Sequence, residues 1–143
     1  MAKLELSRSL PMSAGDAWQH VSDLNSLGDW MTMHQGWRSE LPDELAVGTT
    51  IVGVAGAKGM RNRVTWTIRE FDPPRKLAIS GEGVGGTRYK LAMAVADTKG
   101  GCTFTIRMDL GGAPLFGPIG AAAARAVKGD IDASVKQFEK LYA

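Results

Sequence analysis

Cysteine occurs once in 143 residues, at Cys102, so the chain cannot close an intramolecular disulfide and offers no cysteine pair to a zinc site. Histidine is almost as scarce. Only His20 and His34 occur, and no second histidine or carboxylate stands at metal-ligand spacing from His34, so no metal site is expected. Long apolar runs are missing as well: nothing approaches the ~18 residues that a membrane span needs. The opening Met1-Ala2-Lys3-Leu4-Glu5-Leu6 alternates polar and apolar residues where a secretory leader would be continuously apolar, which predicts a cytoplasmic protein. Charge of one sign is never concentrated. Seventeen basic and fifteen acidic residues are interspersed and leave a net charge of +2, which argues against binding dominated by electrostatics. No G-x-S-x-G, H-E-x-x-H or P-loop motif is found.

What is present is an ordinary globular composition, 44% hydrophobic and 22% charged, on a length suited to one domain covering residues 1–143. The periodicity is mostly that of strands. Residues 3–10 alternate, with Leu4, Leu6 and Leu10 on one face, and Pro11 ends the run. Ser13 is the expected N-cap of a short helix with Ala14, Ala17, Trp18, Val21 and Leu24 on its apolar face, and a second short helix is expected over 25–30. A weak strand over 31–41 and a turn at Pro42-Asp43-Glu44 follow. Further strands are expected over 49–57, 61–71, 76–80, 87–96 and 102–110. They are punctuated by Lys58-Gly59-Met60, Asp72-Pro73-Pro74-Arg75 and Lys99-Gly100-Gly101.

Residues 118–143 read as one long helix that starts at Pro118, where a missing N–H costs nothing. Its first half is built of small residues, Ile119-Gly120-Ala121-Ala122-Ala123-Ala124, and its second half carries a stripe of Val127, Ile131, Ser134, Val135, Phe138 and Tyr142. At 1.5 Å per residue such a helix spans roughly 35 to 40 Å, enough to cross a small domain. The order predicts an antiparallel meander with one face to bury, and the long helix is the only element able to cover it.

Gly81-Glu82-Gly83-Val84-Gly85-Gly86 formally matches the dinucleotide fingerprint G-x-G-x-x-G. That motif needs a helix directly after it, whereas Thr87 to Met93 has the period of a strand, so the glycines read as a flexible turn and no cofactor is expected. His20 reads as solvated. His34 sits between two tryptophans and two methionines and has two readings: a partly buried imidazole satisfied by backbone, or a general acid or base near neutrality. Arg8, Asn62, Glu70 and the Tyr89 hydroxyl are expected to share an inward face with apolar neighbours, where charges require partners.

An alanine-rich half-helix facing large side chains leaves space that a leucine-rich one would fill, so a ligand cavity is expected there. Its candidate lining is Trp30, Met31, His34, Trp37, Met60, Trp66, Tyr89, Met93, Met108 and Phe116 from the sheet side, with Ile119, Ala122, Ala123 and Ala126 from the helix. Methionines adapt to irregular shapes and favour an apolar occupant.

Over its full length the order of elements resembles the START-like, or helix-grip, superfamily, also called SRPBCC and Bet v 1-like, including its polyketide cyclase/dehydrase group. Trp30 with His34, Trp37-Arg38-Ser39-Glu40-Leu41-Pro42-Asp43-Glu44, Lys58-Gly59-Met60-Arg61-Asn62-Arg63, Gly81 to Gly86 and Leu115-Phe116-Gly117-Pro118-Ile119-Gly120 resemble an actinobacterial, chiefly mycobacterial, subgroup. One member of that subgroup is described as the toxin of a type II toxin-antitoxin pair. The resemblance implies an α+β helix-grip fold: a seven-stranded antiparallel sheet wrapped around a long C-terminal helix, with two short helices between strands 1 and 2. It also implies a hydrophobic tunnel and a small antitoxin as partner, and it carries no catalytic residues.

The leading expectation is therefore non-enzymatic binding of an apolar small molecule or lipid between sheet and C-terminal helix, with a role as the toxin of a type II toxin-antitoxin pair implied by the resemblance. One alternative is a polyketide cyclase or dehydratase in which His34 and Tyr89 move protons, which requires the two to converge on one point. Another is a ribosome-associated growth inhibitor, which requires Arg61, Arg63, Arg69, Arg88 and Lys90 to form one contiguous basic patch.

Overall fold

The computed structural model of the chain describes residues 2–56, 61–112 and 117–143. In order the elements are β1 (Ala2–Leu10), α1 (Ala14–Val21), a 3-10 turn (Leu24–Ser26), α2 (Leu27–Trp30), β2 (His34–Trp37), β3 (Thr50–Ala55), β4 (Asn62–Asp72), β5 (Lys76–Glu82), a 3-10 turn (Val84–Gly86), β6 (Arg88–Thr98), β7 (Gly101–Gly111) and α3 (Gly117–Tyr142). The seven strands form one antiparallel sheet in the order β1-β7-β6-β5-β4-β3-β2, which is the meander that the tight turns predict, with the first strand returning beside the last. The helix-grip arrangement and the two short helices after β1 are as the resemblance implies.

The period-two pattern of the strands becomes a set of apolar rows across the inner face. Leu4 pairs with Met108, Met108 with Leu91, and Leu91 with Ile79. The next row is Leu6, Ile106, Met93 and Leu77. Beyond it Arg8 pairs with Phe104, and Leu10 with Cys102.

The end of the sheet nearest Cys102 is sealed by helices. Ser13 caps α1 by accepting from the Asp16 N–H, and the Ala14 N–H donates to Asp97 Oδ1 at 2.9 Å, which pins the helix start to the end of β6. Trp18 packs 6.0 Å from Phe71. Phe138 of α3 stands 5.0 Å from Phe104 and 5.1 Å from Trp30, and the three rings form one buried cluster. Ser134 is fully buried because its hydroxyl is satisfied. It accepts from the Thr32 N–H at 2.9 Å and donates to the Asp130 carbonyl at 2.7 Å.

Two of the polar residues depart from their sequence reading. Glu70 does not face inward: a register shift between Ile68 and Glu70 turns it to the exposed side, where it pairs with Lys76 at 3.4 Å. His20 is not simply solvated, since its ring stacks on Tyr142 at 3.8 Å with 12° between the planes. Arg8 does face inward, and its guanidinium Nε lies 3.1 Å from Glu139 Oε1, joining the edge strand to α3. The strand expected over 31–41 is confined to His34–Trp37. There a bulge at Gly36 (φ 138°) breaks the register, and Ser39 then accepts the Val52 N–H through its side chain.

Candidate functional site

The other end of the same inner face is built differently. From Phe138 back through Val135, Ile131 and Val127, the inward stripe of α3 continues at spacings of three and four to Ala124, Ala123 and Gly120. Ile131, Val135 and Phe138 are buried, whereas Val127, Ala124, Ala123 and Gly120 are only half-buried. On the sheet, Leu4, Leu6 and Tyr89 are half-buried too, although their register positions are inward. Their row neighbours Met108, Leu91, Leu110 and Trp66 are buried, so the incomplete covering is confined to the β1 edge and to Tyr89.

At this open end β4, β6 and the turn before β6 converge on a polar cluster. Asn62 begins β4, and its Nδ2 donates to the Tyr89 hydroxyl at 2.8 Å and to Thr87 Oγ1 at 3.2 Å. Its Oδ1 accepts the Val84 N–H at 3.0 Å, and Thr87 donates its own proton to the Val84 carbonyl at 3.2 Å. The glycine-rich segment makes this cluster possible, a role other than that of a flexible turn. A Cβ on Gly81 would lie 2.5 Å from Val64 Cγ1 and 2.8 Å from the Trp66 ring, and one on Gly83 would lie 2.6 Å from Asn62 Nδ2. Gly85 and Gly86, with φ of 76° and 83°, make the turn itself. The Trp66 ring is held 6.0 Å from that of Tyr89.

His34 lies on the sheet's far edge. Its ring stands 4.3 Å from that of Trp37, and Trp37 in turn lies over Gly53 and donates its indole N–H to the Leu24 carbonyl at 2.7 Å. Burial pushes the His34 imidazole down to about 4, so it is neutral at physiological pH. In register His34 pairs with Ala55 and Ala55 with Asn62, which separates His34 from Asn62 by two strand spacings, roughly 10 Å. Tyr89 accepts from Asn62, and among the described residues no hydrogen bond joins it to His34.

The expected lining residues therefore fall into several places. Trp66, Tyr89 and Met108 stand on the inner face at the open end, with Ala123 and Ala126 half-buried on the helix opposite. Trp30, Met31 and Met93 are 1%, 3% and 0% exposed and belong to the packed interior; Trp30 is walled in by Phe104 and Phe138. Ala122 is exposed, because it lies about 100° around the helix from Ala123. His34 and Trp37 occupy the β2 edge. Met60 and Phe116 lie outside the described residues, as does the side chain of Ile119. Thr87 escaped the sequence reading; its position two residues before Tyr89, on the same strand parity, was the available signal.

The outer face carries a groove of about 550 Å³ with Ala78 and Ala92 in its lining and Arg69, Lys76, Lys90 and Arg107 around them. Its cations are largely engaged: Arg69 Nε donates to Ser80 Oγ at 2.7 Å, Lys76 pairs with Glu70, and Arg107 lies 3.3 Å from Asp109. Arg88 pairs in register with Glu82, and Arg63 stands six residues from Arg69, about 20 Å along the strand. Acidic residues thus interrupt the continuous basic patch that the ribosome alternative requires. Among the described residues no three metal-ligating side chains come together, and no helix is long and apolar enough to cross a membrane.

Comparison with known proteins agrees with this architecture. The profile of the family described as "Polyketide cyclase / dehydrase and lipid transport" matches residues 1–143. The chain belongs to this family. Within it, the Mycobacterium tuberculosis (strain H37Rv) protein Rv1546, which is uncharacterized, is 56% identical over 142 residues, covering 99% of both chains. A second protein of that strain, Toxin Rv0910, is 41% identical over 143 residues, covering 100% of this chain and 99% of its own. Among solved structures, Thermus thermophilus TTHA0849 superposes with a TM-score of 0.79 at 17% identity, covering 97% of this chain and 95% of its own. Ara h 8.0201 does so with a TM-score of 0.73 at 13% identity, covering 99% and 97%. These two likenesses concern the fold alone.

Proposed function

We propose that this protein binds an apolar small molecule or lipid without transforming it, at the open end between the sheet and the N-terminal half of α3. The carrying observation is the uneven burial of one apolar face: Leu4, Leu6 and Tyr89 are inward in register yet half-buried, and the inward stripe of the N-terminal half of α3 carries the small residues Gly120, Ala123 and Ala124 beside Val127. An apolar guest there gains the burial that the helix does not supply, worth about 25 cal/mol per Å² covered. Titration with diphenylhexatriene, which fluoresces on entering an apolar site, tests this; an interior that takes up none of it ends the reading. Substituting Ala123→Trp is expected to fill the space and abolish uptake.

The 41% identity to Toxin Rv0910 supports a second reading, in which the same chain restrains growth and is held by a small antitoxin protein. Induced expression in a mycobacterial host is then expected to arrest growth, and growth at the uninduced rate would exclude it. The cyclase or dehydratase reading draws on the family description and requires His34 and Tyr89 to converge on one point, whereas His34 stands two strand spacings from Asn62, the residue that holds Tyr89.

A further inference from the structure

We infer that the open end selects a neutral ligand bearing a carbonyl oxygen, recognised by the Tyr89 hydroxyl as a donor whose direction is set in advance by Asn62. This rests on the binding reading above and adds the chemistry of the guest.

The inference follows from accounting for each proton in the cluster. A backbone N–H can only donate, so the Val84 N–H identifies the Asn62 atom it meets as the carboxamide oxygen. The amide nitrogen must then point at Thr87 and Tyr89. The Val84 carbonyl can only accept, so the Thr87 proton is spent on it, and Thr87 receives one Asn62 N–H on its oxygen. The other Asn62 N–H goes to the Tyr89 oxygen at 2.8 Å. An amide nitrogen has no lone pair to offer in return, so Tyr89 keeps its own proton, and no acceptor for it appears among the described residues. Receiving a hydrogen bond also polarises the phenol and makes it a better donor.

The surroundings decide what that donor meets. Tyr89 stands between Leu110 and Gly81 in register, beside the Trp66 ring, so the rest of the guest must be apolar. Among the described residues no cation occupies the inner face at this end. Arg8 lies at the closed end and is paired with Glu139. A carboxylate held by one phenol would lose its hydration without a counter-charge, whereas a ketone, ester or amide oxygen is satisfied by a single donor. Free fatty acids are therefore poor guests, and neutral carbonyl compounds good ones.

Displacement of diphenylhexatriene by 2-undecanone, undecane and undecanoate at pH 8 tests this in the intact chain. The ketone is expected to bind Tyr89→Phe about tenfold more weakly than the wild type, with undecane changed less than twofold. Undecanoate is expected to bind the wild type at least tenfold more weakly than the ketone. In the wild type the infrared band of carbonyl-labelled 2-undecanone is expected to move to lower frequency on binding, and in Tyr89→Phe it should stay at its apolar-solvent position. Asn62→Asp is the sharper variant, since the near-isosteric carboxylate accepts the Tyr89 proton and should remove the ketone preference with the phenol still in place. If diphenylhexatriene and undecane bind both proteins alike and Tyr89→Phe leaves ketone affinity unchanged, the donor role is overturned and the binding reading stands. Tighter binding of undecanoate than of the ketone would overturn the neutral-ligand assignment. Retention of ketone affinity in Asn62→Asp would overturn the role of Asn62. Failure of diphenylhexatriene to enter the wild type removes the binding reading itself.

Discussion

Phe104 and Tyr89 stand on neighbouring strands of one sheet, both with inward side chains, yet Phe104 is 1% exposed and Tyr89 is only half-buried. The difference lies in what the helix presents above them. Over Phe104, α3 supplies Phe138 and α2 supplies Trp30. The N-terminal half of α3 carries glycine and alanine on its inward stripe. One face of one sheet is therefore packed core around Phe104 and only partly buried at Tyr89, Leu4 and Leu6. The closed end is expected to carry most of the stability, since its rings are the most completely buried.

The largest test of this contrast is Phe138→Ala, which empties the centre of a three-ring cluster and is expected to destabilise the protein by about 3–5 kcal/mol in chemical denaturation. A loss below about 1 kcal/mol would mean that the closed end is not what holds the domain together. Next comes Gly81→Ala, whose new methyl must displace Val64 and the Trp66 ring; a cost of roughly 1–3 kcal/mol is expected, together with weaker uptake of apolar probes. Unchanged stability and uptake would show that this glycine is not a packing requirement.

The pH dependence is expected to be smaller and to have a definite sign. His34 has its folded-state value pushed from 6.5 to about 4, so the unfolded chain binds the extra proton first as pH falls. Its contribution is fully present above about pH 6.5 and declines towards pH 4, with a slope of at most about 1.4 kcal/mol per pH unit. His34→Gln should flatten that segment of the stability profile, and an unaltered slope would remove His34 as its source. The smallest effect belongs to Glu139→Gln. It breaks an ion pair whose partners are each 34% exposed, and a loss of at most about 1 kcal/mol is expected, diminishing in high salt. Denaturation at low and high salt measures it, and a salt-independent loss would mean that packing, not charge, joins Arg8 to α3.

Much of the fold is legible along the chain because its signals are local. Alternation in 87–96 and 102–110 survives as β6 and β7, Ser13 caps α1 as its hydroxyl suggests, and the alanine-rich and apolar halves of α3 appear where the residues change. The candidate site was legible only in part. Trp30, Met31 and Met93 look like lining residues by type, but a side chain's distance from an opening is a property of the assembled sheet. Glu70 was misplaced because a single bulge inverts strand parity, and no local residue pattern announces it.

Sequence alone determined the element order and the division of the C-terminal helix, since each depends on periodicity or side-chain size over a few neighbouring positions. Only the tertiary structure decided that Asn62, Thr87 and Tyr89, from strands remote in sequence, share one hydrogen-bond network. It also decided that Gly81 and Gly83 serve close packing while Gly85 and Gly86 make the turn. The direction of a hydrogen bond depends on which donor and acceptor meet across strands, and that meeting exists only once the sheet has its register.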